Sequence, residues 1–255
     1  MKFTDVLTAT DTNPLYYEFV PIFISAWKKL FPEINIHIIL ISDKIIPELE
    51  EYSEYITLFP PIKNVKTSFI AQNIRLLYPC LLETHGGVLI TDMDIIPMNR
   101  EYYTEPIKDI EDDKFICYRQ LECVGKNEMV ICYNIAYPQT WRNIFSIKTI
   151  QDVKYTLEHI LYNNVVYAGH KDMPFWITDQ LYLYECTQRW NNNIEPKLII
   201  LNDNLTKFKR LDRGRFPDQL TLINSIKAGH YSDYHMYRPY EEYKDINDKI
   251  VSLIN

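Results

Sequence analysis

Between His85 and Asn99 the chain reads His-Gly-Gly-Val-Leu-Ile-Thr-Asp-Met-Asp-Ile-Ile-Pro-Met-Asn. No other stretch restricts the possible folds as strongly. Val88 to Ile90 is wholly apolar and is entered through the Gly86-Gly87 turn, which predicts a short buried strand. Asp92 and Asp94 stand two residues apart at its end, and Ile95, Ile96 and Pro97 then return the chain to apolar surroundings. Carboxylates leaving a buried strand are costly unless something cationic meets them. Oxygen donors of this kind suit a hard divalent ion, Mg²⁺ or Mn²⁺, which often takes further ligands from substrate phosphates. Asp-X-Asp alone also fits a polar turn. The glycine turn, the apolar strand and the apolar exit together favour the metal reading.

The flanking segments supply the sheet that such a strand needs. Asp5 to Thr10 is predicted as a first strand, followed by a helix opened by Pro14 and carrying Tyr17, Val20, Ile24, Trp27 and Leu30 at near-helical spacing. Asn35 to Ser42 is apolar on both faces, as in a parallel strand covered on both sides by helices. Strand, helix and strand in some forty residues make a βαβ unit. Ligands of such sheets sit beyond the carboxyl ends of the strands, which places Thr8, Thr10, Asp11 and Asp43 at the binding edge. Further strands are predicted at 55–59, 115–118, 129–136 and 198–201. Helices are predicted at 67–84, capped by Thr67 or Ser68, at 140–145 and 151–162, from Thr178 through Tyr184, and from Tyr240 to Asn255. Asn163 to Lys171 is predicted as a loop, followed by Asp172-Met173-Pro174. Lys209 to Arg213 is a mixed-charge run that fits either a phosphate clamp or a solvated face.

Composition excludes several classes. At 255 residues with 47% hydrophobic and 24% charged side chains, the chain suits one large α/β domain. A net charge of −7 with no dense Lys/Arg block disfavours nucleic acid as a partner. The N-terminus is not a signal peptide and no apolar run approaches the ~18 residues of a membrane span, so a cytoplasmic protein is expected. Cys80, Cys117, Cys123, Cys132 and Cys186 form no C-x-x-C pair and read as reduced structural thiols.

Gly86 through Asp94 resembles the DXD core of GT-A glycosyltransferases, in particular the sugar-binding-DXD and glycogenin-like groups and glycosyltransferases of large DNA viruses. The resemblance implies a GT-A fold: α/β, with a Rossmann-like, mostly parallel mixed sheet flanked by helices. It implies one catalytic domain over residues 1–255, a nucleotide and metal half to Asn99 and an acceptor half with a C-terminal helix after it. The implied reaction is sugar transfer from a nucleoside diphosphate sugar, a UDP-sugar by preference, to the hydroxyl of a glycan or other acceptor, and a viral origin would place it in the host cytoplasm. Asp92, Asp94 and His230 would hold Mn²⁺ or Mg²⁺, with Asp233 and His235 as alternatives to His230. Thr8, Thr10, Asp11, Gln72, Arg75, Asp92 and Met93 would contact the donor. Asn134, in Tyr133-Asn134-Ile135-Ala136, and the Asp179-Gln180 pair would face the reacting sugar. Gln180 cannot act as a base, which favours retention of configuration, whereas Asp179 as general base would give inversion. For residues outside the DXD core, ordinary structural readings compete: a cap or turn for Thr8, Thr10 and Asp11, a strand amide for Asn134, and a first-turn helix acid for Asp179. Two other classes stay open. A non-catalytic nucleotide-sugar or glycan-binding module is one. A metal-dependent nucleotidyl or phosphoryl transferase is the other, although neither a Gly-rich phosphate loop nor a Lys-bearing signature is present.

Overall fold

A computed structural model describes residues 1–119, 125–162, 175–191 and 194–254. Cys123, the predicted loop 163–171 and residues 172–174 after it lie outside the described residues. The strands are β1 (Phe3–Asp11), β2 (Asn35–Ile41), β3 (Ile56–Phe59), β4 (Gly87–Ile90), β5 (Ile95–Pro97), β6 (Phe115–Cys117), β7 (Asn134–Ala136), β8 (Leu198–Ile200), β9 (Lys209–Asp212) and β10 (Tyr231–His235). The helices are α1 (Pro14–Tyr17), α2 (Val20–Leu30), α3 (Thr67–Leu77), α4 (Arg100–Thr104), α5 (Pro138–Phe145), α6 (Ile150–Tyr155), α7 (Thr178–Trp190), α8 (Gln219–Lys227) and α9 (Lys244–Ser252).

Seven strands form one sheet in the order β3-β2-β1-β4-β7-β6-β8, and only β7 runs against the others. The mostly parallel, helix-flanked α/β class read from the sequence is therefore the one observed. Alternation along the central strands explains the two layers. Val6, Ile38 and Leu89 face one apolar cluster, which contains Trp27 of α2 and Ile250 of α9. Leu7, Ile39, Val88 and Ile90 face the other, built on Ile70 and Ile74 of α3, Trp141 of α5 and Leu183 of α7. Trp27 meets Phe3 and Tyr103 edge-on, at ring separations of 5.9 and 5.4 Å, a favourable aromatic geometry.

The chain order reverses beside β1, with β2 on one flank and β4 on the other. A crevice at the carboxyl ends of these strands is where open α/β sheets take their ligands. The close approach of β4 to β1 explains Gly86, because a Cβ there would overlap the Thr4 side chain and lie 2.8 Å from Thr4 Cβ. A second, three-stranded sheet, β5-β10-β9, sits just past the turn that ends β4. In it β10 runs antiparallel to β5, with His235 opposite Ile95 and Asp233 opposite Pro97.

Several boundaries differ from the predicted ones for identifiable reasons. The helix opened by Pro14 breaks after Tyr17 and restarts at Val20. The helix from Thr67 tightens into a 3₁₀ turn at Tyr78–Leu81, where Pro79 lacks the amide needed to continue it. Thr67 does not cap α3 through its side chain, because its hydroxyl donates to Asp11 Oδ2 at 2.8 Å. Only 134–136 of the predicted strand 129–136 is strand, because Asn134 Nδ2 donates to the carbonyls of Val130 and Ile131 and curls the preceding segment. The helix α8 ends at Lys227, just before His230. Gly229 adopts a positive φ of 68°, and β10 begins only after His230.

Candidate functional site

The turn between β4 and β5 presents Asp92 and Asp94 at the reversal point of the sheet. Two backbone hydrogen bonds fix it: Thr91 N donates to Leu7 O at 3.1 Å, and Met236 N donates to Asp94 O at 2.9 Å. The Met93 side chain between the two acids is buried in the core, so it contributes no side-chain contact to a donor. Asp92 is one-third exposed and ion-paired with Arg75, seventeen residues earlier on α3.

Arg75 links this turn to the far side of the crevice. It is itself only 8% exposed. Its Nη1 also donates to Thr91 O at 3.3 Å, and its Nη2 reaches Asp179 Oδ2 at 3.4 Å. Gln72, one turn earlier, donates to Asp179 Oδ1 at 2.9 Å and to Trp176 O at 2.5 Å. The structure thus brings Gln72, Arg75, Asp92 and Asp179 together. Burial raises the Asp179 carboxyl to about 6, with the charge of Arg75 and the Gln72 hydrogen bond acting against that rise. A carboxyl with a raised folded-state pKa adds stability below its ordinary value of 3.8, and that increment is lost as pH rises through about 6. In metal-free buffer, urea midpoints measured from pH 4 to 7 should therefore fall in the unmodified chain relative to Asp179→Asn. Parallel profiles would show that Asp179 ionises like an ordinary surface acid.

Asp94 has a different environment. It is 5% exposed, and its Oδ2 lies 2.9 Å from Arg213 Nη1, 3.3 Å from His235 Nε2 and 3.8 Å from Arg238 Nη1. Burial works against its ionisation, but His235, Arg213 and Arg238 together hold it well below the usual carboxylate range. Burial also disfavours a charged His235, and Asp94 more than offsets this, raising the imidazole above its ordinary value. Behind the ring, Nδ1 lies 2.8 Å from Asp212 Oδ1. Since Asp212 accepts the Nδ1 proton, Nε2 is turned toward Asp94. A carboxylate supporting an imidazole in this way is the usual outer arrangement of a metal-binding histidine. Two ligands about 2.1 Å from one ion and at right angles lie about 3 Å apart, close to the Asp94–His235 separation. The donor set therefore fits a divalent ion at Asp94 and His235, with Asp92 beside them. Among the described residues no three such groups already converge on one point, because Asp92 faces Arg75.

His230 is a correction. It precedes β10, is exposed, and lies five residues before His235, roughly 17 Å along an extended strand. The antiparallel register carries His235, not His230, to the acidic turn. Asp233 is not at the turn either. It is fully buried between Arg119 and Arg210, with Arg210 Nε at 2.7 Å, and Arg119 in turn reaches Asp203 at 2.9 Å.

The loop beyond the carboxyl end of β1 is braced by its own side chains. Asp11 accepts from Asn13 N at 3.0 Å and from Thr67, which shapes the loop after β1. Thr10 turns its hydroxyl to Asp11 O at 3.1 Å, and Thr8 is fully buried, so neither hydroxyl faces the crevice. Asn134 is a second correction. Its side chain is wholly buried and its Nδ2 is spent on Val130 and Ile131, which makes it a brace for the segment before β7 rather than a sugar contact. Gln180 follows Asp179 in the first turn of α7, where its amide donates to Asp179 Oδ1 at 2.9 Å.

Three more side chains that the sequence did not assign to the site gather at the turn. Arg213 is one charge in a mixed run, and nothing local distinguishes it. Arg238 is visible only within Arg-Pro-Tyr. Tyr16 is the third: Arg238 donates to its hydroxyl at 2.6 Å and lies over its ring at 5.4 Å, a cation–π contact.

No protein-family model matches the chain, and no curated protein sequence matches it. Similar solved structures do exist. The galactosyltransferase LgtC, solved with donor and acceptor sugar analogs, shares 12% identity over 99% of this chain and 96% of its own, at a TM-score of 0.48. The glycosyltransferase GlyE of Streptococcus pneumoniae TIGR4 shares 14% identity over 98% of this chain and 62% of its own, at 0.47. A glycosyltransferase involved in glycosylation of the major capsid of PBCV-1 shares 7% identity over 97% of this chain and 100% of its own, at 0.42. Likeness at this level assigns no donor, acceptor or mechanism to this chain. Among the described residues no helix is long and apolar enough to cross a membrane.

Proposed function

We propose that this chain is a glycosyltransferase that moves a sugar from a nucleoside diphosphate sugar to an acceptor hydroxyl with the help of a divalent cation. One observation carries the reading. Two carboxylates stand at the carboxyl end of a central strand, where the sheet order reverses; Asp94 is met by cationic side chains brought from residues 213, 235 and 238, and Asp92 by Arg75. An acidic turn ringed by cations suits a diphosphate bridged to a metal ion. The resemblance around Asp92 and Asp94 adds the sugar, with a UDP-sugar as the donor it implies.

Asp92, Asp94 and His235 would hold Mn²⁺ or Mg²⁺, which when bound offsets negative charge on the leaving diphosphate. Arg238, held by Tyr16, would receive the diphosphate. Arg75 and Gln72 hold Asp179 in the wall of the crevice beside Asp92, where the donor sugar would lie. In the reaction the bond from the anomeric carbon to the phosphate oxygen breaks and its electron pair leaves with the nucleoside diphosphate. The acceptor oxygen bonds to the anomeric carbon, and its proton passes to the departing phosphate. Asp179, 2% exposed and engaged by Arg75 and Gln72, is better suited to positioning than to deprotonating the acceptor, which favours retention.

The test is a panel of nucleotide sugars with and without Mn²⁺. A UDP-sugar with Mn²⁺ should raise the melting temperature by several degrees and should be consumed with release of UDP. Proton NMR of the first-formed anomer should show retention. Stabilisation without consumption of the donor, even by water, would indicate a binding module. No stabilisation by any nucleotide sugar would remove the donor site.

A further inference from the structure

Arg213 and a dication held between Asp94 and His235 would compete for the same oxygen. The guanidinium Nη1 lies 2.9 Å from Asp94 Oδ2 and also donates to Met236 O at 2.9 Å. Asp94 is almost fully buried, so its Oδ2 has little room for both an arginine hydrogen bond and a divalent ion. Two cations held side by side at one carboxylate also repel each other, and strongly so in a site shielded from water.

Arg213 is the partner with somewhere to go. It lies immediately after β9 and before Gly214, whose φ is 74° and around which a Cβ would meet nothing within 4 Å. Arg238 is anchored at its other side by Tyr16, and His235 by Asp212. A diphosphate in the crevice would offer the displaced guanidinium the acceptor it lacks once Asp94 turns to the metal. Arginine pairs with phosphate oxygens as readily as with carboxylate.

We propose that Arg213 makes tight metal binding conditional on the diphosphate: it holds Asp94 against a lone dication and yields Asp94 when a nucleotide diphosphate arrives to receive it. This rests on the metal and nucleotide-sugar reading above and names the residue that couples the two ligands. The predicted behaviour is strong mutual enhancement, in which each ligand raises the affinity of the other by the same factor.

The experiment measures free Mn²⁺ by electron paramagnetic resonance in titrations of the full chain, with and without saturating UDP, for the unmodified protein and Arg213→Gln. Arg213→Gln should bind Mn²⁺ alone about tenfold more tightly, the order of effect expected of one charge-assisted hydrogen bond. Its enhancement by UDP should shrink by about the same factor or more. Equal Mn²⁺ affinity in both proteins without UDP, with UDP still enhancing both equally, overturns the role of Arg213 and leaves the donor site intact. Absence of Mn²⁺ binding in both proteins, with or without UDP, overturns the metal reading itself. Arg213→Met keeps the aliphatic stem and replaces the Gln variant if that chain does not fold. Enhancement near onefold in the unmodified protein overturns the proposal without any variant.

Discussion

Asp94→Asn should abolish the Mn²⁺-dependent stabilisation by UDP and lower the rate of donor consumption by about 10²–10³-fold, the range seen when one preorganised electrostatic contact is removed. The geometry behind this is specific. Asp94 Oδ2 is the point toward which Arg213, His235 and Arg238 converge, and an amide presents no anion to any of them or to a metal ion. Read from sequence alone, the metal-free melt of this variant should hardly change, because a turn carboxylate normally sits in water. The burial of Asp94 overturns that expectation. Removing its charge leaves three partly buried cationic groups short of an anion, at a cost of about 2 kcal/mol. For a chain of this size that lowers Tm by roughly 6 °C. The sign with pH follows from the depressed folded-state pKa. The contribution of Asp94 is complete above its ordinary value of 3.8 and is lost as pH falls from there. Calorimetry at pH 7 without metal checks the apo effect, and a UDP–Mn²⁺ thermal shift checks the site. An undiminished shift in the variant would remove Asp94 from the donor site.

Asp233→Ala should be still more damaging to the fold, though its position on β10 is only two residues from His235. Asp233 is wholly buried, with Arg119 and Arg210 both on its carboxylate and Ser232 Oγ donating to it at 2.5 Å. Deleting one partner of a buried ion pair strands the others, at about 3–5 kcal/mol. Against a typical total of about 5–15 kcal/mol, that lowers Tm by roughly 10 °C or more. The same substitution in an Arg210→Met background should cost less, since one guanidinium no longer needs the carboxylate. Identical losses in both backgrounds, measured by thermal melts, would show that Arg210 and Asp233 are energetically independent.

These two acids also show how far the sequence carries. Asp92 and Asp94 were legible because a local pattern announces them: a glycine turn, an apolar strand and paired carboxylates at its tip. The order of strands through β4 was legible for the same reason, as was the apolar stripe of α2. Arg75 came into view only through the family resemblance, and the structure pairs it with Asp92. What surrounds Asp94 was not legible. Arg213 lies 119 residues beyond it, and nothing near Arg213 in the chain separates it from a solvated charge. The choice between His230 and His235 depends on where β10 begins and how it registers on β5, which is a property of the sheet rather than of spacing along the chain. Asn134 misled because its amide serves three- and four-residue-distant carbonyls that a regular strand would have paired elsewhere.

The small sheet formed by β5, β10 and β9 also sets a timetable for synthesis. Asp94 leaves the ribosome 119 residues ahead of Arg213, roughly 6 to 24 s at ordinary elongation rates. During that interval the nascent chain has its acidic turn but not β10, the strand that pairs with β5. The half-made polypeptide therefore carries an open strand edge and unmatched negative charge at the same place until residues 213–238 are made and fold back onto it.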